Sequence, residues 1–183
     1  MTTAQALLRR EQWTKDGRAF LLRPAEAGDA ASLVALRDSV AAENAFIASL
    51  PGDTSVAEEP LNITSLVADG GLGIVAELDG SVCGHCMVRR RSGRFERHIA
   101  ELAIIVSNTV RGVGIGRSMI ATAVDWCRAV RVAKLELSVF PDNTGAIALY
   151  RRCGFIDEGM RRGAVRLPQG ERDLLLMALD VPG

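Results

Sequence analysis

Apolar positions along this chain recur with two different spacings. Alternating or short unbroken apolar runs predict strands over residues 19–23, 73–78, 82–90, 98–106 and 134–139. Three- and four-residue spacing predicts helices over 29–42, 61–68, 114–130 and 143–153; in the first of these Leu33, Leu36 and Val40 form one stripe. The punctuation agrees. Pro24 ends the first strand, Asp29 is placed to cap the first helix, and Asp79-Gly80 is a hairpin turn. Residues 43–60 are polar around Pro51-Gly52-Asp53 and read as loop. A last hairpin, 156–164 with 171–179, closes around Pro168-Gln169-Gly170.

Strand–helix alternation in the middle of the chain implies parallel pairing there, and the hairpins imply antiparallel pairing. The expected fold is a single α/β domain. Its centre is a mixed, mostly antiparallel twisted sheet of about seven strands, flanked by about four helices on both faces. The domain is expected over residues 18–183. Residues 1–17 are expected to be a short helical extension, with Leu7, Leu8 and Trp13 docking on the body or on the second subunit of a homodimer.

The most informative stretch joins the 98–106 strand to the 114–130 helix. It reads Arg111-Gly112-Val113-Gly114-Ile115-Gly116-Arg117-Ser118. A glycine-rich turn opening a helix points several unpaired N–H groups at one spot, with the positive end of the helix dipole behind them. That is an anion site, and diphosphate is its usual guest. Two familiar versions fail. A P-loop ends in Gly-Lys-Ser/Thr, whereas Gly116 is followed by Arg117 and Ser118. A dinucleotide fingerprint counted from Gly112 needs glycine where Arg117 stands.

What remains is Arg-x-x-Gly-x-Gly. A second block follows the next strand: Asn143-Thr144-Gly145-Ala146-Ile147-Ala148-Leu149-Tyr150-Arg151-Arg152-Cys153-Gly154-Phe155. Asn143 is a good N-cap, and Gly154 suits the residue just past a helix end. The two blocks, in this order and separated by one helix and one strand, resemble the acetyl-CoA signature of the GCN5-related N-acetyltransferases (GNAT). The resemblance runs over residues 19–179 and is most specific over 99–155. It implies that fold and an acetyl-CoA-dependent acyltransferase, with acetyl-CoA as co-substrate and no metal. It implies that residues Arg111, Gly112, Val113, Gly114, Ile115, Gly116, Arg117 and Ser118 bind the co-substrate. It also implies that the main chain of Ile104, Ile105 and Val106 pairs with the pantetheine arm, with Asn143 beside it.

Composition narrows the partners. Lysine plus arginine equals aspartate plus glutamate at 22 each, so no basic excess invites nucleic acid or an acidic membrane. No apolar run is long enough to span a bilayer, and residues 1–17 do not read as a secretory signal. Four cysteines are too few for a disulfide scaffold. Cys83-Gly84-His85-Cys86 lacks a second ligand pair, and a strand there puts its two thiols on opposite faces, so structural cysteines are expected. These features suggest a cytoplasmic setting. The five arginines over 89–97 read as a solvated hairpin tip.

Acetyl transfer needs a deprotonated amine, donors for the oxyanion and a proton for the leaving thiolate. Tyr150, the only tyrosine, stands at the family's general-acid position. Glu101, opening an apolar strand, stands where many members keep a base acting through water, and burial there would raise its pKa. His98 is the competing base. The resemblance of the tail to a bacterial branch that includes free amino-acid N-acetyltransferases favours a small amine as acceptor. Arg37, Arg89 or Arg94 would supply a cation for an amino acid's carboxylate. A protein N-terminal or lysine acetyltransferase and a non-catalytic acetyl-CoA sensor are the alternatives; retention of Tyr150 and Glu101 argues against the sensor.

Overall fold

The computed structural model describes residues 8–43 and 46–182. One sheet of eight strands runs through it in the order β1-β2-β3-β4-β5-β6-β8-β7. The strands are β1 (Arg10–Trp13), β2 (Ala19–Pro24), β3 (Leu72–Leu78), β4 (Ser81–Arg90), β5 (Ile99–Val106), β6 (Lys134–Val139), β7 (Ile156–Leu167) and β8 (Gly170–Asp180). Every neighbouring pair is antiparallel except β5 with β6. Four helices flank the sheet: α1 (Ala30–Ala41), α2 (Glu59–Ala68), α3 (Ile115–Ala129) and α4 (Thr144–Arg152).

The elements predicted over residues 19–179 stand at or near their predicted places, and several of the physical reasons hold. Asp79 and Gly80 both have positive φ, 51° and 75°, as the tight β3–β4 turn requires. Leu33, Leu36 and Val40 of α1 are buried. Strand alternation sends the two faces of the sheet to different partners. Cys86, Val88, Ala100, Leu102, Leu135 and Leu137 pack with Met119, Ile120 and Ala123 of α3, and Ile147 and Tyr150 of α4 join the same core. On the other face Leu33 of α1, Ile63 of α2, Val75 and Ala25 form a smaller cluster.

Two expectations are corrected. The N-terminal segment carries a strand where a helix was expected: β1 pairs with β2 from Arg10↔Leu22 to Trp13↔Ala19, because β2 would otherwise present an open edge. That makes the eighth strand, and the expected boundary at 17/18 falls in the β1–β2 turn. Leu8 docks on the body as a core residue, Trp13 stays exposed, and Leu7 lies outside the described residues. Asp29 precedes α1 but does not cap it with its side chain. The carboxylate instead takes both guanidinium nitrogens of Arg23, at 2.8 Å each, and the Glu26 N–H. The planar two-point fit to arginine outcompetes a single helix amide.

The four cysteines are free. Burial pushes the Cys127 thiol up to about 12, and Cys83 and Cys86 also upward, so these thiols are inert packing groups. Among the described residues no helix is long and apolar enough to cross a membrane, and no cluster of three or more metal-binding side chains occurs.

Candidate active site

β5 and β6 are paired for only three residues, Ile99↔Lys134, Ala100↔Leu135 and Glu101↔Glu136. Beyond Glu101 they part, while β5 remains paired to β4 through Val106. The main chain of Ile104, Ile105 and Val106 therefore has one strand edge without a strand partner. Parallel strands that diverge open a cleft between them.

The glycine turn stands at the end of that cleft. β5 passes through a short 3-10 turn (Asn108–Val110) and extended Arg111 into Gly112 and Gly114, whose φ values are +83° and +109°. Gly114 is the left-handed N-cap of α3, and the first amide bonded back to it is that of Ser118, at 3.1 Å. The N–H groups of Ile115, Gly116 and Arg117 thus have no acceptor within the helix, and no acidic residue occupies its first turn. Gly116 is needed for another reason. A Cβ there would stand 3.1 Å from Leu149 and 3.9 Å from Ile104 and Val106, so glycine lets α3 approach both α4 and β5.

Arg111 belongs to the turn, but its side chain is already engaged. Nε donates to the Val106 carbonyl at 3.0 Å, and the two terminal nitrogens donate to Glu43 at 2.7 and 2.6 Å. The guanidinium also lies 4.9 Å from the centre of the Phe46 ring. This Arg111 cluster fastens Glu43 and Phe46 to the turn.

Asn143 caps α4 as its sequence predicts, its Oδ1 accepting the Ala146 N–H at 3.2 Å. Tyr150, 8% exposed, rests against Phe155 with ring centres 5.8 Å apart. Burial lifts its phenol well above the ordinary value, so the proton stays on at neutral pH.

Glu101 departs from expectation. It is the third residue of β5 rather than the first, and it is exposed rather than desolvated. It sits at the β5–β6 parting and lines a cavity of about 280 Å³ with Glu136, Glu158, Arg91 and Arg161. His98 precedes β5, is exposed, and lies at the strand end remote from the glycine turn.

A larger cavity, about 460 Å³, lies between β4, β5, α1, α2 and the loop. Ile63, Leu66, Met87, Ala103 and Ile105 give it apolar walls. Its polar lining includes two residues that the sequence pattern did not single out. Glu59, its side chain 2% exposed, is held by Arg37 at 2.9 and 3.2 Å and by Asn62 at 3.2 Å. His85, 3% exposed, projects from the middle of β4. Burial lowers its pKa to about 4, with Arg37 lowering and Glu59 and Asp29 raising it, so the ring is neutral. Glu59 lay hidden in a polar loop reading and His85 inside a Cys-x-x-Cys. Of the three candidate arginines, Arg37 and Arg89 line this cavity, whereas Arg94 lies outside it over Phe95.

Residues 40–155 match the family model described as "Acetyltransferase (GNAT) family". The chain is 32% identical over 87 residues to the L-amino acid N-acetyltransferase AaaT of Escherichia coli K12, a match covering 47% of this chain and 54% of that protein. The chain spans about half the length of the curated relatives it matches. Among solved structures it resembles an acetyltransferase of the GNAT family from Streptococcus pneumoniae, with a TM-score of 0.81 and 28% identity, covering 89% of this chain and 99% of that one. A ribosomal-protein-alanine N-acetyltransferase from Brucella melitensis superposes with a TM-score of 0.80 and 28% identity, covering 87% and 99%.

Proposed function

The chain belongs to the acetyltransferase (GNAT) family, and on that premise we propose that it transfers an acetyl group from acetyl-CoA to the primary amine of a small molecule, by direct attack in a ternary complex. The observation that carries the reading is the position of the glycine turn at the end of the cleft where β5 and β6 part.

In this reading the amides of residues 112–118 hold the diphosphate of the co-substrate, aided by the dipole of α3. Arg117 and Ser118 stand at the same helix mouth. Arg111 contributes its main chain, and its side chain keeps the turn in shape. The unpaired edge at Ile104, Ile105 and Val106 takes the pantetheine arm as an added strand, with Asn143 alongside. Tyr150 donates a proton to the departing sulfur; a phenol that stays protonated suits that work. Glu101, beside the parting, draws the amine's proton away through water. Residues 18–182 carry this machinery, and free thiols together with acetyl-CoA dependence fit a cytoplasmic setting.

The larger cavity is the place for the acceptor. Apolar walls and a volume of about 460 Å³ favour a compact molecule with an apolar side chain. The Arg89 side chain lines it and makes no hydrogen bond or ion pair with a described residue, so its charge is available to a carboxylate. Arg37 is spent on Glu59. A free amino acid satisfies both features, and the name of the Escherichia coli relative points the same way.

The test is release of free thiol from acetyl-CoA with a panel of amino acids, polyamines, aminoglycosides and peptides. Release with apolar amino acids supports the reading. Release with peptides alone moves the acceptor to a protein N-terminus or lysine. Tight binding of acetyl-CoA without release for any acceptor overturns catalysis in favour of a sensor.

A further inference from the structure

His85 is the buried polar group that the mechanism leaves unused. A histidine in a protein interior ordinarily spends its ring nitrogens on protein partners. The His85 ring has no hydrogen-bond partner among the described residues. Yet no buried side-chain nitrogen or oxygen among them is both sealed from solvent and unpartnered. Its nitrogens are therefore open to the larger cavity, which the ring lines.

Nε2 lies 3.9 Å from where a Cβ on Gly73 of β3 would stand, and the register gives His85 a cross-strand neighbour on each side, Val75 of β3 being one. His85 is the cross-strand partner of Ile105 in the antiparallel β4–β5 pair. Directly opposed residues have Cα atoms about 4.5–5.5 Å apart and send their side chains to the same face. Both residues line the cavity, and Ile105 lies past the β5–β6 parting, on the edge assigned above to the pantetheine arm. The charged neighbours on the surrounding elements, Arg37 of α1 and Glu59 of α2, are occupied with each other. Asp29, before α1, is occupied with Arg23.

We propose that His85 is the group that holds the acceptor's amine, its open ring nitrogen accepting a hydrogen bond from the amine and fixing it against the Ile105 segment of β5. This rests on the acetyltransferase reading above and deepens it, by assigning a residue to the nucleophile rather than to its side chain. A neutral ring suits the task. It offers a lone pair without a positive charge that would repel an incoming ammonium group. It orients the amine and leaves proton removal to Glu101 and water.

The experiment compares His85→Phe and His85→Gln with the unmodified protein, using L-leucine as first probe and then the amine giving fastest thiol release in the panel. His85→Phe is expected to raise the acceptor KM at least tenfold and leave the acetyl-CoA KM unchanged. His85→Gln, which keeps an acceptor atom, is expected to recover most of the loss. An unchanged acceptor KM in His85→Phe, or an equal rise in both KM values, overturns the proposal. Should His85→Phe fail to fold, the imidazole ¹⁵N signals of the unmodified protein decide. A shift of one ring nitrogen on adding the same amine, without acetyl-CoA, supports the contact. Unmoved signals with an amine that is demonstrably acetylated overturn it. Absence of thiol release from the unmodified protein with every amine defeats the acetyltransferase reading itself, a result separate from either outcome.

Discussion

The turn of residues 111–118 and the floor of the larger cavity, proposed above for the co-substrate and the acceptor, are built differently. The turn is eight consecutive residues whose working parts are backbone amides, two left-handed glycines and a helix start. The cavity floor draws Arg37, Glu59, His85 and Ile105 from α1, α2, β4 and β5. Its working parts are side chains, charged or polar, removed from water. The first arrangement is a local conformation that glycine permits. The second is an electrostatic balance that exists only when four elements have packed. The difference teaches where each is fragile: the turn to backbone strain, the floor to loss of a partner.

The sharpest way to break the comparison is to remove one partner from the floor. Glu59→Ala leaves the Arg37 guanidinium buried without its counter-charge, and it is expected to cost about 3–5 kcal/mol of stability. Denaturant unfolding measures it. Replacing both, Arg37→Met with Glu59→Leu, is expected to return most of that loss, because an apolar pair has no charge to desolvate. If the single replacement is harmless, the floor is not an electrostatic unit.

Next comes acid. Unfolded His85 titrates near 6.5 and native His85 near 4. Between those values the unfolded chain holds more protons, so stability falls as pH drops from about 6.5 towards 4 and levels off below. The contribution is about 3 kcal/mol. His85→Gln is expected to flatten that part of the stability–pH curve, measured by unfolding at a series of pH values.

The turn is tested by strain. Gly114→Val forces a β-branched residue to φ +109°. It is expected to cost about 1–3 kcal/mol and to weaken acetyl-CoA binding by at least ~10-fold, read by calorimetric titration, without changing the cavity floor. The smallest effects are chemical. Tyr150→Phe is expected to lower kcat at least ~10-fold with acetyl-CoA affinity unchanged. Glu101→Gln is expected to displace the acid limb of the pH–rate profile, and an unmoved limb assigns the proton to another group.

The same contrast explains what could be read in advance. Strand and helix positions followed from residue spacing, because burial on one face imposes a period of two or near 3.6. The glycine turn and the α4 cap at Asn143 were legible, because both are contacts within a few residues. Side-chain commitments were not. Arg111 reads only as part of the co-substrate turn, and the fold shows its side chain engaged by Glu43 and Phe46. Asp29 reads as a helix cap until Arg23 reaches it from β2. Glu101 reads as a buried base until its face of the strand proves open to water. Residues 10–13 read as part of a short helical extension until the edge of β2 pairs with them.

Taken alone, the order of residues determined the number and kind of most elements, the glycine turn that leaves the first amides of α3 without helix partners, and the family. Those features depend on φ, on hydrogen bonds between near neighbours and on which side of an element is apolar. The larger cavity, the neutral state of His85 and the pairing of Arg37 with Glu59 were decided by tertiary structure. Charge–charge attraction and desolvation depend on distance through space and on excluded water, and neither is defined until the sheet and helices have closed around them.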